Sequence, residues 1–193
     1  MILLQGKLLA TGYLILFGAW MLSSVVTLVR MRARTGLAAR DRGFVARALL
    51  VLLLTNFIAI ACLKLFPRAM FATVLTSVIG LVLMGLGLAV RSWAMVHLGR
   101  YFTVDVAVAA DQRIVDTGPY RLVRHPSYTG LLLLAVGVGL CFGNIASFLV
   151  IAVPMIALML KRMKVEEEVL AEALGNTYRE YMARTQRLIP GIY

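Results

Sequence analysis

Residues 8–29 (LLATGYLILFGAWMLSSVVTLV) contain no charged side chain, and about 20 apolar residues in a row are what a helix needs to cross a bilayer. A second run, 48–66, is interrupted only by Lys64, near one end, where its long side chain can reach the interface. A third covers 69–90, and its pattern continues to about His97. Two shorter runs, 128–143 and 145–160, are separated only by Gly143-Asn144, which reads as the turn of a helical hairpin. Pro126 suits the first turn of the hairpin's first helix, and Pro154 should kink the second. From Lys161 the chain is polar and helical in pattern to about Thr185, with Gly175-Asn176 as a stop and Tyr178 to Thr185 as a restart. Composition agrees: 61% of the 193 residues are apolar and 15% charged, against roughly 45–50% and 25% in soluble domains. A water-soluble fold of this size has too little interior for that much apolar surface. The expected fold is all-α: a polytopic membrane protein of about five transmembrane helices with a cytoplasmic helical tail. It forms a single integral domain over 1–193, with three spans in 1–97 and the hairpin and tail in 98–193. The opening Met-Ile-Leu-Leu with a single Lys7 has no charged n-region and no small-residue cleavage site, so the first run is expected to be a retained helix.

The formal charge of +11 admits nucleic acid, anionic lipid or membrane topology as its cause. Its distribution decides. Five spans place seventeen of the twenty Lys and Arg on one side: six in 30–47, five in 91–127 and six in the tail. Only Lys7, Lys64 and Arg68 fall on the other, and all nine acids share the crowded side. The positive-inside rule then puts the N-terminus outside and the C-terminus in the cytoplasm. No compact basic patch is interleaved with stacking aromatics, so nucleic acid is not an expected partner; membrane lipids are, at the Arg-rich first connection. Cys62 and Cys141 lie in apolar runs without metal spacing and read as buried apolar side chains.

Ionisable groups inside spans would suggest a transport path, and the runs are almost free of them. Polar residues concentrate instead in 97–128 and 161–190, one block before and one after the hairpin, which would bring them together at the cytoplasmic interface. The first block reads GPYRLVRHPSYTG (118–130). Arg121, Arg124 and His125 cluster just before Pro126, with Tyr120 and Tyr128 on either side. Arginine offers planar donors for carboxylate or phosphate, and histidine donates or accepts according to tautomer. An interfacial belt of Arg and Tyr is the simpler alternative; the His-Pro break, which fixes backbone shape, favours a site. In the second block Arg162 and Glu166 share a helix face at i, i+4, continued by Leu170 and Leu174. Its simpler alternative is an amphipathic surface helix. Gly85-Leu86-Gly87 follows no strand and reads as helix packing rather than a dinucleotide loop, as does Gly139-x-x-x-Gly143. No Ser-His-Asp order, phosphate loop, zinc pair or acidic metal cluster is visible.

GPYRLVRHPSYTG, a hydrophobic hairpin, R-x-x-x-E-E and GNTYREYMARTQRLIPGI together resemble the isoprenylcysteine carboxyl methyltransferase family, and more broadly the membrane-embedded methyltransferases that include phospholipid N-methyltransferases. The resemblance covers about residues 97–193; the first three spans match only in being apolar. It implies S-adenosyl-L-methionine as the methyl donor, bound at the cytoplasmic side without a Rossmann domain. It also implies that Tyr120, Arg124, His125, Pro126, Ser127 and Tyr128 line the cofactor pocket, that Glu166 and Glu167 contact the cofactor, and that Arg162 orients the substrate, with Glu166 at the catalytic centre. The segment Gln112 to Val115 contributes in the family; here Val115 matches that pattern and Gln112, Arg113 and Ile114 do not match it well. Tyr178, Tyr181, Arg187 and Pro190 match the tail and read as structural. Glu168, which extends the acidic pair, and the Arg-rich first connection depart from the pattern. No metal is implied.

The implied reaction is methyl transfer to a lipophilic small-molecule or lipidated acceptor, an isoprenylcysteine-like carboxylate above all. An ionised acceptor needs no general base, only alignment with the donor and a suitable field, and Arg162 suits a bidentate contact with it. The same scaffold allows a phospholipid N-methyltransferase or a thiol S-methyltransferase. A nicotinamide-dependent membrane reductase and a non-catalytic membrane adaptor are the readings from other classes.

Overall fold

Hydrocarbon offers backbone N–H and C=O groups no partner, so a spanning segment must bond them within itself, as a helix does. The computed structural model describes residues 2–32, 43–102 and 112–193, and the regular elements among them are helices, joined by two isolated bridges. These are α1 (Ile2–Arg32), α2 (Phe44–Leu65), α3 (Val74–Leu98), α4 (Pro126–Phe142), α5 (Ile145–Leu174) and α6 (Asn176–Arg184), with short 3-10 turns at Pro67–Ala69, Gly99–Tyr101 and Gly118–Arg121. Helices α1, α2, α3 and α5 are long and apolar enough to cross a membrane; α4 is a shorter apolar helix of 17 residues. Phe57, Leu65 and Val96 are exposed on these helices, as lipid-facing side chains are. The chain is an all-α, multi-pass integral membrane protein, with its five apolar helices where the apolar runs lie.

Two features differ from the sequence expectation. The apolar arm of the hairpin and the polar stretch after it are one helix, because α5 runs through Pro154 and on to Leu174. Arg162, Glu166 and Glu167 therefore ride on a continuous rod whose other half is embedded among apolar neighbours. Arg91, counted above among the basic residues of the 91–127 connection, sits inside α3, which continues to Leu98 in line with the pattern that runs on to His97. Arg34, Arg40, Arg42, Asp41, Asp105 and Asp111 lie outside the described residues.

The hairpin turn has a local cause. Gly143 adopts φ 60°, a left-handed conformation that suits glycine at a helix C-terminus. Asn144 then caps α5 by accepting a hydrogen bond from the Ser147 N–H at 3.2 Å. The Asn144 amide also donates to the Phe66 carbonyl at 2.9 Å, and the Ser147 hydroxyl donates to the Ala59 carbonyl at 2.8 Å. These bonds tie the hairpin to α2.

Between α3 and α4 the backbones touch. A methyl on Gly87 would lie 2.6 Å from the Gly130 carbonyl oxygen, and one on Gly80 would lie 2.7 Å from that of Gly137. The reciprocal methyls on Gly130 and Gly137 would each lie 2.6 Å from the Gly87 and Gly80 oxygens. The two pairs run in opposite senses, so the helices are antiparallel and joined through a seam of small residues, a common solution inside membranes. Gly87→Ala should lower stability by about 1–3 kcal/mol, the cost of overpacking, whereas Gly85→Ala, with nothing within 4 Å, should stay within about 0.5 kcal/mol of the parent. Thermal unfolding of both variants in one detergent checks this; equal midpoints would contradict the seam.

Candidate active site

Proline disfavours helical backbone in the residue before it, so the Arg124-His125-Pro126 run ends one chain direction and begins α4. His125 has φ −124° and stands at the N-cap, with Pro126 at the first helical position. The freed N–H groups of Arg124 and His125 donate to the carbonyls of Gln186 at 2.8 Å and Arg187 at 3.0 Å. The Thr129 hydroxyl adds a bond to the Leu188 carbonyl at 2.7 Å. The two sequence blocks thus meet as backbone, at the end of α4.

Successive residues on an α-helix point about 100° apart, so Glu166 and Glu167 cannot serve one place. Glu167, 4% exposed, turns toward the tail. It accepts from Arg124 Nε at 3.0 Å, His125 Nε2 at 3.2 Å and Arg187 NH2 at 2.7 Å. Its hydrogen bonds hold the Arg187 guanidinium above its ordinary pKa. Arg124 NH1 further donates to the carbonyls of Met182 and Thr185. Glu166 instead accepts from the Tyr128 hydroxyl at 3.1 Å, and that same hydroxyl accepts from Arg162 Nε at 3.3 Å.

Arg162, Tyr128 and Glu166 face a cavity of about 1460 Å³, its open mouth included. Of the residues expected at the site, Gln112, Ile114, Val115, Tyr120, Arg124, His125, Ser127, Tyr128, Arg162 and Glu166 line it. Pro126 and Glu167 do not: Pro126 shapes the turn and Glu167 is held on the tail side. Arg113, Tyr178 and Tyr181 also line it. The rim is tied down through Tyr181, whose hydroxyl donates to the Tyr120 carbonyl at 2.7 Å, and through the exposed Arg184–Asp116 pair at 2.6 Å. Burial pushes the Tyr181 hydroxyl up to about 12 and raises Tyr120 and Tyr178 as well, so all three remain neutral donors at physiological pH. Among the described residues no group of three His, Cys, Asp or Glu side chains could hold a metal ion.

Arg91 is the residue that sequence reasoning missed. It lines the cavity from α3, is 8% exposed, and its buried Nε has no hydrogen-bond partner. A buried guanidinium atom without a partner is costly. The signal was available: a single arginine inside a helical pattern that runs on to His97.

Removing a partner from a buried ionic cluster costs about 3–5 kcal/mol. Glu167→Ala should therefore cost about 3 kcal/mol, while Arg187→Ala, with a third of its side chain exposed, should cost about 1 kcal/mol or less. Denaturation of the two variants in detergent compares them; an Arg187→Ala cost equal to that of Glu167→Ala would contradict the hub.

Residues 78–172 match the model of the isoprenylcysteine carboxyl methyltransferase family. A probable protein-S-isoprenylcysteine O-methyltransferase of Oryza sativa subsp. indica is 32% identical over 118 residues, 60% of this chain and 62% of that protein. The protein-S-isoprenylcysteine O-methyltransferase of Schizosaccharomyces pombe is 34% identical over 137 residues, 68% of this chain and 57% of that one. The chain thus spans about three fifths of the length of these curated relatives. A solved eukaryotic intramembrane Ras methyltransferase shares the fold, with a TM-score of 0.72 at 21% identity over 97% of this chain and 68% of its own. The matched stretch holds the glycine seam, Arg91, the RHPSY turn and the Arg162–Glu167 segment, and over it the chain is similar to the isoprenylcysteine carboxyl methyltransferase family.

Proposed function

We propose that the chain is an S-adenosyl-L-methionine-dependent methyltransferase whose acceptor is a lipophilic carboxylate of the isoprenylcysteine type. The observation that carries this reading is the pairing in one cavity of two buried guanidinium groups, Arg91 and Arg162, with apolar walls from Trp20, Leu52, Met155 and Met159. That chemistry suits an anion on a hydrocarbon stem. It disfavours an amine: at an effective dielectric near 20, unit charges about 4 Å apart interact by about 4 kcal/mol, and here the sign would be repulsive.

The methyl donor fits the other half of the site. Glu166 offers a carboxylate for hydroxyl or amino groups, His125 and Ser127 offer further polar atoms at the α4 turn, and Tyr120 and Tyr178 offer ring surface. When bound, S-adenosyl-L-methionine supplies an electrophilic methyl carbon. An acceptor carboxylate is already ionised at neutral pH, so the chain need supply no base. Arg91 and Arg162 hold the acceptor oxygens, Tyr128 fixes Arg162 and Glu166 relative to each other, and the buried walls exclude water. These are positioning and electrostatic tasks. With the charge bias of the connections, this reading has the N-terminus outside and the site at the cytoplasmic face, where a water-soluble donor can reach it.

Calorimetric titration of the purified chain with S-adenosylhomocysteine tests the donor half. Binding should be measurable, and Glu166→Ala and His125→Ala should each weaken it about tenfold or more, a loss of a charge-assisted hydrogen bond. Arg162→Ala should cut turnover more than donor affinity. Absence of binding would overturn the reading, and equal loss of both quantities in Arg162→Ala would overturn the role given to that residue.

A further inference from the structure

Arginine only donates hydrogen bonds and an ionised carboxylate only accepts them, whereas a phenol does both. Tyr128 stands between one of each. Its hydroxyl accepts from Arg162 Nε at 3.3 Å and donates to Glu166 Oε2 at 3.1 Å. The three groups therefore form a chain with one direction, from cation through hydroxyl to anion. Tyr128 and Arg162 are both buried, and the tyrosine ring is set edge-on to His125 at 5.5 Å between centroids. His125 is in turn held by Glu167, so the hub on the tail side also fixes the hydroxyl. The bond from Arg162 uses Nε, which leaves the terminal nitrogens outside the chain, and the bond to Glu166 uses Oε2, which leaves Oε1 outside it.

We propose that Tyr128 is a positioning residue that couples the two ligands, so that donor and acceptor each bind more tightly when the other is in place. The inference rests on the roles given above to Arg162 and Glu166 and adds a free-energy link between them. An acceptor carboxylate on Arg162 shares the charge of the guanidinium, and Arg162 then pulls less on the Tyr128 oxygen. Tyr128 donates less strongly to Glu166 in consequence, and that carboxylate keeps more charge for the hydroxyl or amino groups of the donor. By the same steps in reverse, a donor on Glu166 leaves Arg162 more charge for the acceptor. Linked hydrogen bonds polarise one another in this way in a low-dielectric interior, and linkage makes the two effects equal. The net strength of one hydrogen bond sets the scale at about fivefold.

The test uses S-adenosylhomocysteine as the donor probe, because it lacks the sulfonium charge that would attract a carboxylate directly, and N-acetyl-S-farnesylcysteine as the acceptor probe. Calorimetry of the full chain in detergent measures the affinity of each with and without the other. In the parent both affinities should rise about fivefold, and the methyl ester of the acid, which carries no charge, should give no rise. In Tyr128→Phe the ratio should fall to about one, whatever happens to the separate affinities; a merely structural role would lower the affinities and keep the ratio. Arg162→Lys removes the same bond from its other side, since lysine has a methylene where arginine has Nε, and should also abolish the ratio. Tyr120→Phe removes a cavity hydroxyl that donates to the Ala94 carbonyl, outside the chain, and should preserve it. A ratio near one in the parent, a ratio kept in both Tyr128→Phe and Arg162→Lys, or one lost equally in Tyr120→Phe overturns the proposal. Absence of S-adenosylhomocysteine binding overturns the donor reading and the coupling with it; binding of both probes without mutual effect overturns the coupling alone.

Discussion

The Glu167 carboxylate is the contact on which the site depends. It is buried, and it gathers Arg124 from the turn before α4, His125 at the cap of α4 and Arg187 from the tail. Three segments distant in sequence are thereby fixed to one point on α5. The neighbouring Glu166, turned by the helix about 100° away, is left to face the cavity with Arg162 and Tyr128. Without Glu167 the buried Arg124 would lose its carboxylate partner, a costly state. Adjacent acids that look interchangeable in sequence have separate tasks: one builds the site, the other faces it.

The rest of the fold delivers α5 to that point. The glycine seam presses α4 against α3, which brings Arg91 to the cavity that Arg162 also lines, and the Asn144 cap fixes the hairpin to α2. Because α5 is continuous from apolar arm to polar end, its lining residues form a graded surface. Met155 and Met159 come first, then Arg162 and Glu166, then Val169, Leu170 and Leu174. A single helix therefore presents hydrocarbon-compatible and charge-compatible surface in one cavity.

Much of this was legible in the sequence where the cause is local. Five apolar runs gave five helices, Gly143-Asn144 and Gly175-Asn176 marked helix ends by their backbone preferences, and Pro126 marked the start of α4. Ten of the residues expected to line the site do line the cavity. What could not be read depends on packing between distant segments. The direction of Glu167 is set by Arg187, twenty residues on. The inward aim of Arg91 is set by close approach of α3 and α4. Trp20 belongs to the cavity only because α1 lies against it, and no motif in the first span signals this.

The central claim is that a carboxylate oxygen receives the methyl group between Arg91 and Arg162. The most direct measurement is the base stability of the product formed from methyl-labelled S-adenosyl-L-methionine and a thioether acid. The account predicts a methyl ester, which releases volatile labelled methanol on alkaline treatment and whose formation falls sharply in Arg91→Ala. A base-stable labelled product, as an amine or thioether would be, contradicts it.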